Sequence, residues 1–584
     1  MGRFSIEPVP DTTDLWDELV DTMWRRGPDD RGLLADERCV LGARRLAVMD
    51  PSGAGHLPMR SDCGRYRLAF NGELYNFRDL RAQLERAGHR FRSSGDSEVV
   101  LRSLQHWGPA ALERFNGMFA LAYRDRVDQS LLLARDHAGI KPLYVLTDPR
   151  GVVFASQFDQ IMAHPWADGR PVDPEAVAMY LRLGHIPAPR AYLAGTEMLP
   201  PGSWLRVDAA GRTERRRYVR FEPGGRKRPS QEEIEATVRT AVARQSVSDA
   251  PVGCLLSGGI DSPLVAAYAG DARLDPLPTF SIGMEDADLD ESADARRYAT
   301  EIGSAHRVRT LGAAQVDDLL ADAVDATCEP LADEGILPAL LVSGLAREHV
   351  TVALSGEGGD ELFWGYYPRQ SAVLGGRDLD HFGHRYLAHF ADFTRAQFTS
   401  CFPGLDWWPA GEPAFDTPHP ADPAEAVRRV ELDVFLPFIL LKADRASMYH
   451  SLEVRVPLLD REVVDLAAGL SGDDCLDLDA GVGKAPLRRA LRTRLGLGTS
   501  GKRGFTAPMD TWARTVLRDR IADSLRTVRG LESVDVDLPA LRGLLDRHGR
   551  GEENNGMALW RVLCLDLWVG KQRAAAGKSV RCGC

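Results

Sequence analysis

The densest chemistry in the chain lies in Val252-Gly253-Cys254-Leu255-Leu256-Ser257-Gly258-Gly259-Ile260-Asp261-Ser262. An apolar strand runs into a double-glycine turn, and a helix is expected to start at about residue 261. Glycines let backbone N–H groups approach phosphate oxygens, and a helix N-terminus adds partial positive charge there. Ser257 and Ser262 supply hydroxyl donors, while Asp261 could hold a hydrated Mg2+ ion on the phosphates. A Gly-Gly turn alone is most often a plain link between strand and helix. The full Ser-Gly-Gly-Ile-Asp-Ser after a buried strand is more specific, and no Gly-Lys-Ser/Thr follows, so it is not a Walker loop.

A second element repeats the theme in Ser355-Gly356-Glu357-Gly358-Gly359-Asp360-Glu361-Leu362-Phe363, again after an expected strand. Its three carboxylates would repel phosphate unless a metal or bound cation intervened. A merely structural turn has little use for that charge. A third stretch, Lys442-Ala443-Asp444-Arg445-Ala446-Ser447-Met448 followed by Ser451-Leu452-Glu453-Val454-Arg455-Val456-Pro457-Leu458-Leu459-Asp460, reads alone as a salt-bridged helix and turn.

These motifs need a frame to position them. At 584 residues the chain is long enough for at least two domains, and 44% hydrophobic with 27% charged residues is a soluble globular composition. The formal charge of −12 argues against a general nucleic-acid-binding surface. No apolar run is long enough for a membrane span, and the first residues lack the apolar segment of a secretory signal, so a cytoplasmic location is expected. The 9 cysteines are too scattered for a disulfide scaffold, and Arg581-Cys582-Gly583-Cys584 reads as a frayed end.

Strand-like stretches at 39–41, 66–70, 119–123, 131–133 and 152–154, with amphipathic helical patterns at 76–87 and 97–106, predict layered sheets with helices outside. A charged, breaker-rich passage at 220–230 precedes a helical pattern at 232–244. We therefore expect domains at 1–218 and 232–584 joined by a linker at 219–231. In the second, strands at 252–256 and 351–354 alternate with helices, as in an open parallel α/β sheet, and from about residue 427 the pattern is almost wholly helical.

The Ser257 loop resembles the pyrophosphate loop of the ATP pyrophosphatases, which cleave ATP between the α and β phosphates and adenylate a substrate. Together the three segments resemble the synthetase domain of glutamine-dependent asparagine synthetases. So do Phe280-Ser281-Ile282-Gly283-Met284, Asp290-Glu291-Ser292, Glu329-Pro330-Leu331-Ala332-Asp333, Gly483-Lys484 and Lys502-Arg503-Gly504-Phe505. The resemblance implies a parallel α/β ATP pyrophosphatase (adenine nucleotide α-hydrolase-like) domain with a helical C-terminal part. It implies activation of a carboxylate, by default the β-carboxylate of aspartate, as an acyl-adenylate that ammonia then attacks, with ATP and Mg2+ required. By the same resemblance Ser257, Gly258, Gly259, Asp261 and Ser262 cradle pyrophosphate, Leu256, Ser281, Ile282, Gly283, Ser355 and Gly356 complete the nucleotide site, and Lys484 touches phosphate. Asp261 and Asp360 fall to the metal, and Glu357 to the base that takes a proton from ammonium or the tetrahedral intermediate. Asp333, Arg445, Glu453 and Arg455 are substrate-side candidates for which internal ion pairing is an equal alternative.

The first domain resembles a class II glutamine amidotransferase of the N-terminal-nucleophile type, with a four-layer αββα Ntn-hydrolase-like fold. The residues that carry this are Arg26-Gly27-Pro28-Asp29-Asp30, Arg45-Leu46-Ala47-Val48-Met49-Asp50, Asn71-Gly72-Glu73-Leu74-Tyr75-Asn76, Gly95-Asp96-Ser97-Glu98, Arg135-Asp136 and Gly139-Ile140-Lys141-Pro142-Leu143-Tyr144. Arg45 would pair with the α-carboxylate of glutamine, Glu73 and Asp96 would receive its ammonium or amide, and Asn71 with Gly72 would form the oxyanion hole. The departure is at the start, where Met1-Gly2-Arg3-Phe4-Ser5 stands against a family pattern of Met-Cys-Gly-Ile-Ala/Val-Gly-x-Phe. As written, the chain lacks the cysteine whose own amine serves as base. Either the glutaminase is lost or the start is misassigned downstream of it; the retained pocket favours the second.

Related chemistries remain open. Lactam-forming synthetases and lasso-peptide cyclases let an amine within the substrate attack the adenylate, but in the β-lactam-forming relatives the position of Glu357 is, by resemblance, a tyrosine. An antibiotic-pathway or cell-surface amidotransferase acting on another carboxylate, or a non-catalytic pseudo-enzyme, are further alternatives. Partners are expected to be small molecules, with neither nucleic acid nor membrane, and a homodimer is expected by analogy.

Overall fold

A computed structural model describes residues 1–7, 13–222, 227–271, 273–367, 370, 382–407, 423–477, 480–497 and 506–579. The Lys502-Arg503-Gly504-Phe505 motif, residues 408–422 of the Trp/Pro-rich segment, residues 223–226 of the linker and the C-terminal cysteines lie outside the described residues.

The first half is built on two six-stranded sheets, whose pairings are antiparallel. One is centred on the short strand Gly2–Ser5, flanked by Cys39–Arg45 and Gly151–Ala155. The other is centred on Gly117–Asp125, flanked by Tyr66–Leu74 and Ser130–Arg135. Alternate residues of both sheets, among them Phe4, Leu41, Ala122, Leu131, Leu133, Val152 and Leu205, meet in one apolar layer. The opposite faces are covered by helices, Thr13–Asp21 on the first sheet and Phe77–Arg86 with Ser97–Trp107 on the second. The result is the αββα layering expected, with strands longer than the sequence suggested because polar residues such as Asn71 and Glu73 continue the ladder past the apolar stretch.

The second half holds a five-stranded parallel sheet in the order Ala305–Leu311, Pro278–Met284, Val252–Leu255, Val352–Leu354, Glu453–Arg455. All its pairings are parallel. The three short strands are nearly all buried, as a sheet covered on both faces requires, while Ala305–Leu311 carries His306, Arg307 and Arg309 at the edge. One element differs from the sequence reading. Residues 451–460 hold more than the turn expected after a helix: helix Leu436–Tyr449 and a short turn are followed by a strand, Glu453–Arg455, that closes the sheet. Three residues are too few for a periodic signal, and alternating charges in them look like a solvated surface.

Among the described residues no helix is long and apolar enough to cross a membrane.

Candidate active site

In the parallel sheet the chain turns one way after Val252–Leu255 and the other way after Val352–Leu354, two neighbouring strands. Open α/β sheets bind ligands where such loops diverge, at the carboxyl ends of the strands. A cavity of about 440 Å³ lies there, lined by both glycine-rich loops. Of the residues assigned to nucleotide or metal, Leu256, Ser257, Gly259, Asp261, Ser262, Ser281, Ile282, Ser355, Gly356, Asp360 and Lys484 line it, as does Glu357. Gly258 and Gly283 are not among the lining residues; the Gly258 N–H donates to Glu291 at 3.2 Å.

The first loop is folded on its own hydroxyls. The N–H of Ser257 donates to Ser262 Oγ at 2.8 Å, the N–H of Gly259 donates to Ser257 Oγ at 3.2 Å, and the two hydroxyls lie 2.9 Å apart. Helix Asp261–Gly270 starts immediately after, so its first N–H groups face the cavity end of the sheet. The second loop packs against the first: a Cβ at Gly356 would sit 2.7 Å from the Ser262 backbone nitrogen, and one at Gly359 2.6 Å from the Asp261 carboxyl. Glycine is required for that approach.

Lys484 reaches in from outside the sheet. It has φ of 60° ahead of helix Ala485–Leu495, and its Nζ donates to Asp261 and, at 2.8 Å, to Asp360. Burial alone would lower its ammonium pKa, but Asp261 and Asp360 hold it above the ordinary lysine value. Two carboxylates and one ammonium therefore converge on one point. Among the described residues no group of three or more His, Cys, Asp or Glu could hold a metal by itself. A divalent cation there must complete its shell with phosphate oxygens and water, which suits Mg2+, and the donor set fits.

Glu357 lines the same cavity. Burial pushes its carboxyl pKa up, only partly offset by a backbone hydrogen bond and then by Lys442, and its Oε2 is buried with no hydrogen-bond partner among the described residues. Lys442 pairs with Asp333 at 3.1 Å, and both line the cavity. Glu334 beside them is pushed up to about 7 by burial and then by Asp333, and accepts from the Thr506 hydroxyl at 2.7 Å. Beyond these the wall becomes aromatic: His185 stacks on Phe438 with centroids 4.8 Å apart, and Phe438 meets Phe435 at 5.9 Å. Lys442 lines the cavity although the sequence reading assigned it no role. Its signal is a lysine directly after the apolar run Leu436-Pro437-Phe438-Ile439-Leu440-Leu441, on a helix that buries nearly every side chain.

A smaller cavity of about 100 Å³ opens in the first half, lined by Met1, Arg45, Asn71, Gly72, Glu73, Asp96, Ser156 and Glu453 among others. All five predicted glutamine-pocket residues meet there. Arg45 Nη2 is aimed by donating to the carbonyls of Met49 at 2.5 Å and Asp50 at 2.7 Å. Gly72 has φ of 142°, and a Cβ there would lie 1.9 Å from the Met118 carbonyl oxygen. Asn71 donates to Ser156 Oγ at 3.2 Å. Asp96 accepts from the Leu74 N–H at 2.7 Å and is pushed up to about 6 by burial. Glu73 is raised well above its ordinary value by burial, then by Asp96 and Glu453. A ligand bearing an ammonium group would relieve that crowding.

The four substrate-side candidates separate. Asp333 lines the larger cavity, whereas Glu453 lines the smaller one. Arg455 pairs with Glu453 at 2.7 Å and approaches Glu73 at 3.7 Å. Arg445 is held between the halves, forked onto Glu329 at 2.9 Å for each arm and donating to the Ser156 carbonyl at 3.2 Å. The helix Leu436–Tyr449 thus presents Phe438, Ile439, Lys442 and Ala443 to the larger cavity, and Met448 to the smaller. Its Asp444 bonds Arg26 at 2.7 and 3.0 Å and Lys141 at 3.4 Å, both from the first half.

Two family models match the chain: asparagine synthase over residues 233–570 and a glutamine amidotransferase domain over residues 3–219. A Mycobacterium tuberculosis protein provisionally described as an asparagine synthetase (glutamine-hydrolysing) is 32% identical, over 94% of this chain and 92% of its own length. Asparagine synthetase (glutamine-hydrolysing) 1 of Bacillus subtilis is 28% identical, over 97% of this chain and 96% of its own. Among solved structures, a glutamine phosphoribosylpyrophosphate amidotransferase from B. subtilis aligns at a TM-score of 0.28 and 15% identity, over 53% of this chain and 80% of that one. That likeness is too slight to argue from.

Proposed function

The chain belongs to the asparagine synthetase family of ATP-dependent carbon–nitrogen ligases, and from that premise we propose that it adenylates a carboxylate and converts it to an amide. The observation that carries the reading is the convergence of both glycine-rich loops, Lys484 and Glu357 on one cavity at the point where the sheet diverges. In this reading the N–H groups and hydroxyls of Ser257, Gly259 and Ser262 exchange their mutual bonds for bonds to pyrophosphate oxygens. Lys484 moves with its point charge onto the leaving pyrophosphate, balancing negative charge as the α–β bond breaks. Asp261 and Asp360 would hold Mg2+, which supplies charge neutralisation on the phosphates when bound. Glu357, whose carboxylate burial makes more basic, takes the proton that the attacking nitrogen must shed.

Aspartate is the default acceptor, by resemblance to the family. A second reading, a carboxylic acid bulkier than aspartate, is favoured by the His185–Phe438–Phe435 wall, which offers stacking surface that aspartate does not use. Nitrogen would come from glutamine through the pocket of Arg45, Asn71, Gly72, Glu73 and Asp96, or from free ammonia. The test is pyrophosphate release from ATP and Mg2+ with ammonium and aspartate, then with a panel of aromatic and aliphatic acids. Asparagine formed with pyrophosphate supports the first acceptor, and release with a bulkier acid alone supports the second. No pyrophosphate with any acid sinks the ligase reading. Glu357→Ala should lower amide formation by about 10²–10⁴-fold while sparing pyrophosphate release more. Equal loss of both partial reactions would remove Glu357 from the role of base.

A further inference from the structure

The strand Glu453–Arg455 belongs to both cavities at once. Its backbone closes the parallel sheet, with Glu453, Val454 and Arg455 opposite Val352, Ala353 and Leu354. The Ser355 N–H donates to the Arg455 carbonyl and the Glu453 N–H to the Thr351 carbonyl, both at 2.9 Å. Glu357 follows two residues after Ser355, so the register of this strand sets where the Glu357 loop begins. The side chains divide by alternation: Val454 lines the larger cavity and Glu453 the smaller.

The Arg455 guanidinium is 1% exposed and clamped on two of its three nitrogens. Nε donates to Glu453 at 2.7 Å, and Nη1 donates to the carbonyls of Gln245 at 2.9 Å and Val247 at 2.6 Å. The third nitrogen, Nη2, is buried with no hydrogen-bond partner among the described residues and stands 3.7 Å from the Glu73 carboxylate. A planar fork fixed at two points aims its third at one place. That place is the carboxylate against which an amino acid in the small cavity would set its ammonium.

We propose that Arg455 is a positioning residue through which an amino acid bound in the small cavity is felt by the Glu357 loop in the large one. An ammonium received by Glu73 and Asp96 competes with Nη2 for the same carboxylate. The change in pull falls on a residue whose own carbonyl holds the Ser355 N–H, and a close-packed strand transmits it rather than absorbing it. Linkage then requires the effect to run both ways, so that nucleotide and acceptor in the large cavity alter the affinity for glutamine by the factor in which glutamine alters theirs. The inference rests on the function proposed above, and its test separates the two.

The experiment measures L-glutamine binding to the full chain by calorimetry, with and without ATP, Mg2+ and the acceptor acid, assaying glutamate in the same sample. Alongside it, the pH profile of ammonium-driven amide formation is recorded with and without glutamine. The expected result is a change of about fivefold or more in glutamine affinity and a displaced pH profile, both collapsing toward no effect in Arg455→Lys. Lysine keeps the charge and loses the fork. Glutamine affinity that is unchanged by nucleotide and acceptor, in a chain that forms the amide from ammonium, overturns the link and leaves the proposed function standing. A chain that releases no pyrophosphate overturns both. The unsubstituted chain decides whether the coupling exists; should Arg455→Lys not fold, Arg455→Gln takes its place, and an undiminished effect in either folded variant overturns Arg455 as the residue that carries it.

Discussion

Asp444→Asn tests whether the two halves are locked together by buried charge. The Asp444 side chain is 3% exposed, and it faces Arg26 at 10% and Lys141 at 4%. Burial alone would raise its pKa, but Arg26, then Lys141 and Arg445, hold it well below the usual carboxylate range. Removing one partner from such a set leaves the others charged and uncompensated, which costs about 3–5 kcal/mol. The chain has several folding units, so a single unfolding free energy is not defined. The readout is instead hydrogen exchange in the helix Leu436–Tyr449, whose protection should fall by about two to four orders of magnitude. A triple variant, Arg26→Met, Lys141→Met, Asp444→Leu, should recover most of the loss, because a buried ion cluster replaced whole by apolar groups is close to neutral. Since the folded pKa is depressed, the carboxylate stabilises above its unfolded pKa of about 4 and the contribution is lost only as pH falls below that. Unchanged protection in Asp444→Asn, or a triple variant as loose as the single one, would refute the reasoning.

Three further outcomes follow from the same geometry. Lys484→Met removes the cation between Asp261 and Asp360, and pyrophosphate release should drop by on the order of 10²–10³-fold, read in a coupled assay; retained release would detach Lys484 from the phosphates. Gly483→Ala places a Cβ 1.6 Å from the Trp364 carbonyl oxygen, so the segment carrying Lys484 must move; hydrogen-exchange protection in helix Ala485–Leu495 should fall by about one to two orders of magnitude, with ATP cleavage impaired. Glu334 is raised to about 7, so its stabilising protonated form is present below the unfolded pKa of about 4 and lost as pH rises through 7. Glu334→Gln should therefore gain stability relative to the parent at pH 8 and lose that advantage below pH 4, which paired melts at the two pH values will show.

The parts of the site that the sequence disclosed are those where one backbone constraint demands one residue type. Gly356 and Gly359 had to be small for the two loops to touch, and Gly72 had to accept a φ that side chains avoid. Such requirements survive as local patterns. Lys442, Glu453 and Arg455 were less legible because their meaning lies in what stands opposite, 100 residues or more away in the chain for Lys442 and Asp333 and farther still for Arg455 and Glu73. Paired charges on adjacent segments look the same in sequence whether they face water or each other. The three-residue strand Glu453–Arg455 shows the physical reason most sharply. It is too short for periodicity to announce it, and it forms because the edge of Val352–Leu354 offers hydrogen bonds and the Arg455 guanidinium finds Glu453 and two carbonyls as it docks. A segment whose conformation is supplied by its neighbours is also one through which those neighbours can act on each other, and this is why the least predictable strand is the one that touches both cavities.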